Sequence, residues 1–229
     1  MNLPTKWAKK FLSGKESFPF QLAVLAIYIF IGIPLAKGIY INEILILIFY
    51  FLLLSGGIPF LKSKGKTGII LFLTLMPFSF LLMYLILDSV WLKFVTNIFL
   101  IVYCVLLGTV NLIRTFSGGS INAHRVQGAI IVYLLVGFVF ALCYDSIYLV
   151  YGKSAFNGLV VGSRQEFMYF SLSTLTTSAY GDITPLNALA RSLANLEALT
   201  GQLYPAILIA RLVSMEMTEE KISRKTGRE

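Results

Sequence analysis

Six long apolar runs dominate this chain of 229 residues and limit what it can fold into. They cover residues 22–36, 44–61, 67–87, 94–113, 126–144 and 192–210. Most approach the length of helix that crosses a hydrocarbon layer of about 30 Å. Between them, charge is scarce. Only 13% of residues are charged and 57% are hydrophobic, whereas a soluble domain carries about a quarter charged residues. Lys37, Lys62, Asp88, Arg114, Asp145 and Arg211 close the runs. A soluble multi-domain protein is excluded, and an all-α membrane protein with six transmembrane helices is expected.

The positions of the basic residues give the orientation. With the N-terminus inside, Lys37, Lys93, Lys153, Arg164 and Arg191 fall on the outer side, and the other 14 of the 19 Lys and Arg lie on the inner side. Cytoplasmic loops favour Lys and Arg, so an even number of spans with both termini cytoplasmic is expected. The plasma membrane is the natural location for such a multi-pass protein. The net charge of +8 is accounted for by anionic lipid at the basic cytoplasmic face and requires no nucleic acid. The N-terminal Lys6, Lys9, Lys10 and Lys15 belong to this inner surface, and no small-residue cleavage site follows the first apolar run.

The connector 117–125 carries Ser117-Gly118-Gly119-Ser120 and divides a four-span unit, residues 1–116, from a second unit, residues 126–217. A short cytoplasmic tail, residues 218–229, follows. His124, the single histidine, excludes a multi-histidine metal site; it either titrates near neutrality or makes a plain polar contact. Cys104 and Cys143 lie within apolar runs and read as buried thiols. Pro34, Pro59 and Pro77 suggest kinks in or beside the first three spans.

Residues 145–191, between the last two spans, are not an ordinary loop. Ser163 and Glu166 have capping-box spacing, and about eleven residues of helix, roughly 16 Å, follow. A half-span helix must end in protein or next to water, because lipid cannot satisfy its open carbonyls. Its C-terminal dipole, about −0.5 of a charge, favours a cation where the chain turns back. The returning chain reads "TLTTSAYGDITP".

This segment, with a span on either side, resembles the pore signature of tetrameric potassium channels, commonly T-V-G-Y-G-D. The resemblance covers residues 126–217. It implies a re-entrant pore helix and a selectivity-filter loop, four copies of which meet on an axis. Backbone carbonyls and a threonine hydroxyl there replace the water around a potassium ion. Thr177, Ser178, Ala179, Tyr180 and Gly181 would be the filter, and the first four would bind potassium. Asp182 would stand at the filter's outer mouth. Thr176, Ser173, Tyr169 and Phe170 would support it from the pore helix, with the two aromatics bracing Tyr180. Gly201, twenty residues past Gly181, matches the family's hinge position, and Pro205 adds a kink; Gly201 could equally serve close helix packing. Glu197, the one acid within a span, either bonds to Ser171 or Ser173 or sees the ion pathway. Gln202 is a cavity candidate.

Two departures matter. Ala179 stands where the family prefers glycine, and a left-handed alanine costs roughly 1–2 kcal/mol, or on the order of 4–8 kcal/mol over four copies. Either the scaffold imposes the usual backbone, or the Ala179 carbonyl turns away and selectivity weakens. The fourth span also lacks the arginines of a voltage sensor. The expected function is a homotetrameric, potassium-preferring cation channel without steep voltage gating. A non-selective channel and a non-conducting regulatory or scaffold subunit are the alternatives. A transporter would show paired broken helices, and only one is visible. No nucleophile–base set or metal spacing indicates an enzyme, and no cofactor is implied beyond permeant potassium or sodium.

Overall fold

The computed structural model describes residues 17–35, 79–80, 83–84, 86–87, 89–116 and 123–226. Among the described residues, five helices carry the fold. Helix α1 runs from Ser17 to Ile27 and continues through a π turn, Tyr28–Gly32, into a last turn, Ile33–Leu35. Helix α2 is Val90–Phe116, α3 is Ala123–Tyr151, α4 is Arg164–Leu175 and α5 is Ala188–Thr226. Two short strands, β1 (Phe156–Asn157) and β2 (Thr184–Pro185), pair antiparallel. The protein is a largely helical membrane protein. Three described helices are long and apolar enough to cross a membrane: Phe18–Leu35, Val90–Phe116 and His124–Ser154. The expected second span, residues 117–122 of the connector and most of the third span lie outside the described residues, and residues 123–125 of the connector are already the first turn of α3. Helix α5, the expected sixth span, is not among the three, because Asn195, Glu197, Thr200 and Gln202 interrupt its apolar run.

The helices overrun their expected ends. The expectation stopped the fifth span at Asp145, but α3 continues to Tyr151 because Asp145 is fully buried and paired. Helix α5 likewise extends beyond residue 210, into the expected tail, as far as Thr226.

Helix α2 packs along α3 through a stripe formed by Leu100, Tyr103, Cys104 and Leu107, with Asn97 and Asn111 near its two ends. Such spacing of three and four residues keeps one helical face toward a neighbour. Gly128 permits the approach, since a Cβ there would strike Thr115 Oγ1 and the Phe18 ring. Both cysteines are free.

Helix α1 also lies on α3, where Tyr28 meets Phe138 edge-on at 5.9 Å. Pro34 has no N–H to offer Phe30, and the π turn immediately before it absorbs the defect: Ile33 N–H reaches Tyr28 O instead. Pro59 and Pro77 are outside the described residues.

The half-length helix α4 is held against α3 and β1 by an aromatic core. Phe170 contacts Tyr144 at 4.9 Å and Phe156 at 5.6 Å between centroids, and Phe156 meets Phe167 at 5.6 Å. Gly137 faces the side chains of Leu172 and Leu175, which brings α4 close to α3.

Candidate functional site

The site begins at the capped start of α4. Ser163 accepts from the Glu166 N–H, and Glu166 in return accepts from the Ser163 N–H at 2.8 Å. Glu166 also accepts from Val160 N at 2.5 Å and Val161 N at 3.3 Å, so one carboxylate orders the outer loop before the helix. Burial pushes the Glu166 carboxyl up, but the backbone N–H groups of Ser163, Val160 and Val161 outweigh that and hold it below the usual carboxylate range.

Twelve residues on, α4 ends at Leu175 with its C-terminal carbonyls inside protein. Tyr133 donates to Leu175 O at 3.1 Å, and Thr176 Oγ1 donates to Leu172 O at 2.7 Å. Gly201 of α5 sits directly against Leu175, and a Cβ there would collide with its carbonyl. The close-packing role is therefore visible at Gly201. Helix α5 runs through both Gly201 and Pro205. Because Pro205 has no N–H, the bond it leaves unmade is the one Gly201 O would accept.

The chain then reverses through Thr177–Asp182. Thr177 (φ 58°), Ala179 (φ 43°) and Gly181 (φ 81°) have positive φ, while Ser178 and Tyr180 do not, so handedness alternates along the loop. Ala179 is held in this form by its N–H, which bonds to Ser173 O at 3.1 Å, and Thr177 N–H bonds to Thr174 O at 3.0 Å. Ala179 thus has the left-handed φ that the usual backbone requires. Positive φ at β-branched Thr177 is a second strained position, one that no residue pattern announces.

Residues 176–182 are all exposed on the isolated chain. Tyr180 stacks on Tyr169 at 6.1 Å with the rings within 8° of parallel. The Tyr169 hydroxyl hydrogen-bonds Asp182, which also accepts from Ile183 N at 3.0 Å. Tyr169 thus braces both Tyr180 and Asp182. Phe170 does not join them; it is buried on the opposite side with Tyr144 and Phe156. Ser173 contributes its backbone carbonyl, while its hydroxyl turns back to Phe170 O at 2.9 Å. Thr176 Oγ1 and Ser178 Oγ lie 3.0 Å apart.

Glu197 is fully buried behind the loop. It accepts from Tyr144 at 2.6 Å and meets Ser171 Oγ, which also bonds to Gly137 O. Glu197 therefore ties α3, α4 and α5 together and does not line the exposed face. Gln202 is exposed on α5, on the same side as Leu199 and Leu203.

Two features escaped the sequence reading. The β1–β2 ribbon pins the chain just beyond Asp182, with Phe156 opposite Pro185. Gly158 (φ 84°) backs directly onto the Asp182 carbonyl, where a Cβ could not fit. A glycine 24 positions before its contact gives no local signal of it.

Such a loop, set between two long helices, can present a file of backbone oxygens and hydroxyls to a dehydrated cation. Residues 128–217 match the family model described as an ion channel. No curated protein and no solved structure matches the chain. Over these residues the chain is similar to an ion-channel domain, which supports the pore-loop cation channel superfamily.

Proposed function

We propose that this chain is one subunit of a homotetrameric, potassium-preferring cation channel. The observation that carries the reading is Ala179, left-handed at φ 43° with its N–H bonded to Ser173 O. That bond commits the amide to the scaffold and favours carbonyls that face the opposite way, toward a shared axis. In this reading Thr177, Ser178, Ala179 and Tyr180 coordinate potassium as the transported substrate. Asp182 concentrates cations at the mouth, and the C-terminal end of α4 favours a positive charge below the filter. The exposed filter face is one wall, which further copies complete. Both termini are cytoplasmic, with anionic lipid at the basic inner surface.

The experiment is reconstitution of the purified full-length protein in liposomes and planar bilayers. Cation flux with a reversal potential close to the potassium equilibrium potential is expected in opposed potassium and sodium gradients. A reversal near zero would overturn the potassium preference. Absence of flux would favour the scaffold reading. The second reading, a non-selective or silent pore, has its own support. Two residues other than glycine, Thr177 and Ala179, carry left-handed strain in every copy. At roughly 1–2 kcal/mol per residue, that strain opposes a stably formed filter.

A further inference from the structure

Arg164 and Gln165, the first two residues of the pore helix α4, are each held by a different helix of the N-terminal unit. Gln165 donates to Ile33 O, at the last turn of α1, at 2.5 Å. Arg164, only 4% exposed, donates to Asn97 Oδ1 of α2 at 3.1 Å and lies 3.5 Å from Asp145 of α3. Asn97 closes the ring, because its Nδ2 donates to Asp145 Oδ2 at 3.0 Å and approaches Ser146 Oγ at 3.4 Å. Lys93, one turn before Asn97 on α2, adds an ion pair to Asp145 Oδ1 at 3.2 Å.

The chemistry of Asn97 is specific. A guanidinium can only donate and a carboxylate can only accept, so the residue between them must offer one acceptor and one donor. The amide does both, while remaining uncharged in a site where Asp145 and Asn97 are fully buried. Asp at 97 would oppose Asp145, and an apolar residue would leave two buried charged groups short of a partner.

We propose that Asn97 is a positioning residue for the filter. Through Arg164, with Gln165 and α1 as a second hold, the N-terminal unit sets the placement of the pore helix from the outer side of the membrane. The mechanical path is short. Helix α4 is a single rigid element of twelve residues, and the carbonyls of Ser173 and Thr174 near its end hold the amides of Ala179 and Thr177. A displacement of α2 or α1 at the first turn of α4 is therefore delivered to the two strained residues of the filter. The first four spans gain a role that does not require charge movement through the membrane. This inference rests on the channel reading and gives that channel an outer control point.

The test uses the full-length protein in liposomes, comparing wild type with Asn97→Leu, Gln165→Leu and Lys93→Met. Hydrogen exchange is read at the Thr177 and Ala179 amides, and open probability is read in planar bilayers. Asn97→Leu and Gln165→Leu should both speed exchange at these amides, and should change open probability roughly two- to thirty-fold, the range of coupling carried between such sites. Lys93→Met keeps the Asn97–Arg164 bond and should have the smallest effect. Should Asn97→Leu fail to assemble, Gln165→Leu leaves the buried charges intact and reports the same path. Exchange is measurable whether or not ions flow. A silent wild type with the expected exchange changes would overturn the channel reading alone. A conducting wild type whose filter exchange and open probability match those of both variants would overturn this inference alone.

Discussion

Ala179 carries a Cβ at φ 43°, a conformation natural to glycine. Ala179→Gly removes a left-handed cost of roughly 1–2 kcal/mol but adds unfolded-state entropy of about 0.4–1 kcal/mol. The net expectation is a gain of about 0.5–1 kcal/mol per copy. It should appear as a higher midpoint of thermal unfolding and a reversal potential closer to that of potassium. A variant less stable than wild type would show that the alanine side chain makes a favourable contact. Gly201 tests the opposite sign. Its Cβ would enter Leu175 O, at the point where the pore helix ends, so Gly201→Ala must push α5 away from α4. Overpacking of this kind costs about 1–3 kcal/mol, and a lowered unfolding midpoint is expected. Pro205→Ala restores a backbone donor to Gly201 O and should leave that midpoint unchanged or raised. If Gly201→Ala slowed opening without lowering the midpoint, bending would be the dominant role of this glycine.

At the scale of elements, the pore helix is written in local chemistry. Ser163 and Glu166 are three residues apart, and the cap they form is visible in the sequence before any tertiary contact is known. Glu166 makes a pH prediction with a definite sign. Its folded carboxyl titrates below the unfolded value, so its contribution is complete above the unfolded pKa, about 4.3, and is lost as pH falls through the folded value. Acidification below about pH 4 should lower the protection of the Val160, Val161 and Ser163 amides in wild type, measured against the intrinsic exchange rate at the same pH. In Glu166→Gln their protection should be reduced already at neutral pH, with little further loss of protection on acidification. Helix α2 illustrates what local reading misses. Lys93, Asp145 and Arg164 read as charges that end spans or face the outer solution. The structure instead buries Asp145 and Arg164 and joins them through Asn97. The partners are 48 and 67 residues apart, and no sequence pattern encodes that distance. The same helix predicts weak voltage dependence. It has no charge between Lys93 and Arg114, Lys93 is paired with Asp145, and the Arg114 guanidinium lies over the Phe18 ring at 4.3 Å. Moving a charge through the field gains about 2.3 kcal/mol per 100 mV, and these two cations are anchored. A conductance–voltage relation equivalent to less than about one charge per subunit is expected. A slope of several charges would overturn this assignment of α2.

For the whole molecule, the uncovered surfaces of the isolated chain carry the argument. The filter loop 176–182 is exposed, and Tyr180 leaves 71% of its surface uncovered. Leu196, Leu199, Leu203 and Ile207 of α5 form an exposed apolar stripe below it at spacings of three and four residues. The opposite face of the same helix carries Glu197, Gly201 and Tyr204 into the protein, where Tyr204 donates to Ala129 O at 2.8 Å. This division was only partly legible. The motif pointed to the loop because the filter proposed here would be built from backbone, and backbone demands appear as glycine, threonine and tyrosine at fixed spacing. The stripe did not stand out, because in an apolar span a face toward lipid and a face toward another copy use the same residues. Assembly separates them. Four copies of the 25.5 kDa chain should appear in the native mass of the detergent-solubilised complex. Leu199→Asp places a charge beside the filter support on the stripe. If the stripe faces another copy or an ion pathway, this variant should reduce the tetramer fraction or alter conductance while the helices persist by circular dichroism. If the stripe faces lipid alone, the charge should impair insertion, and the protein should be lost from the membrane fraction. Tetramers with unaltered conductance would place Leu199 outside both the interface and the pathway, and would move the ion route to the filter loop alone.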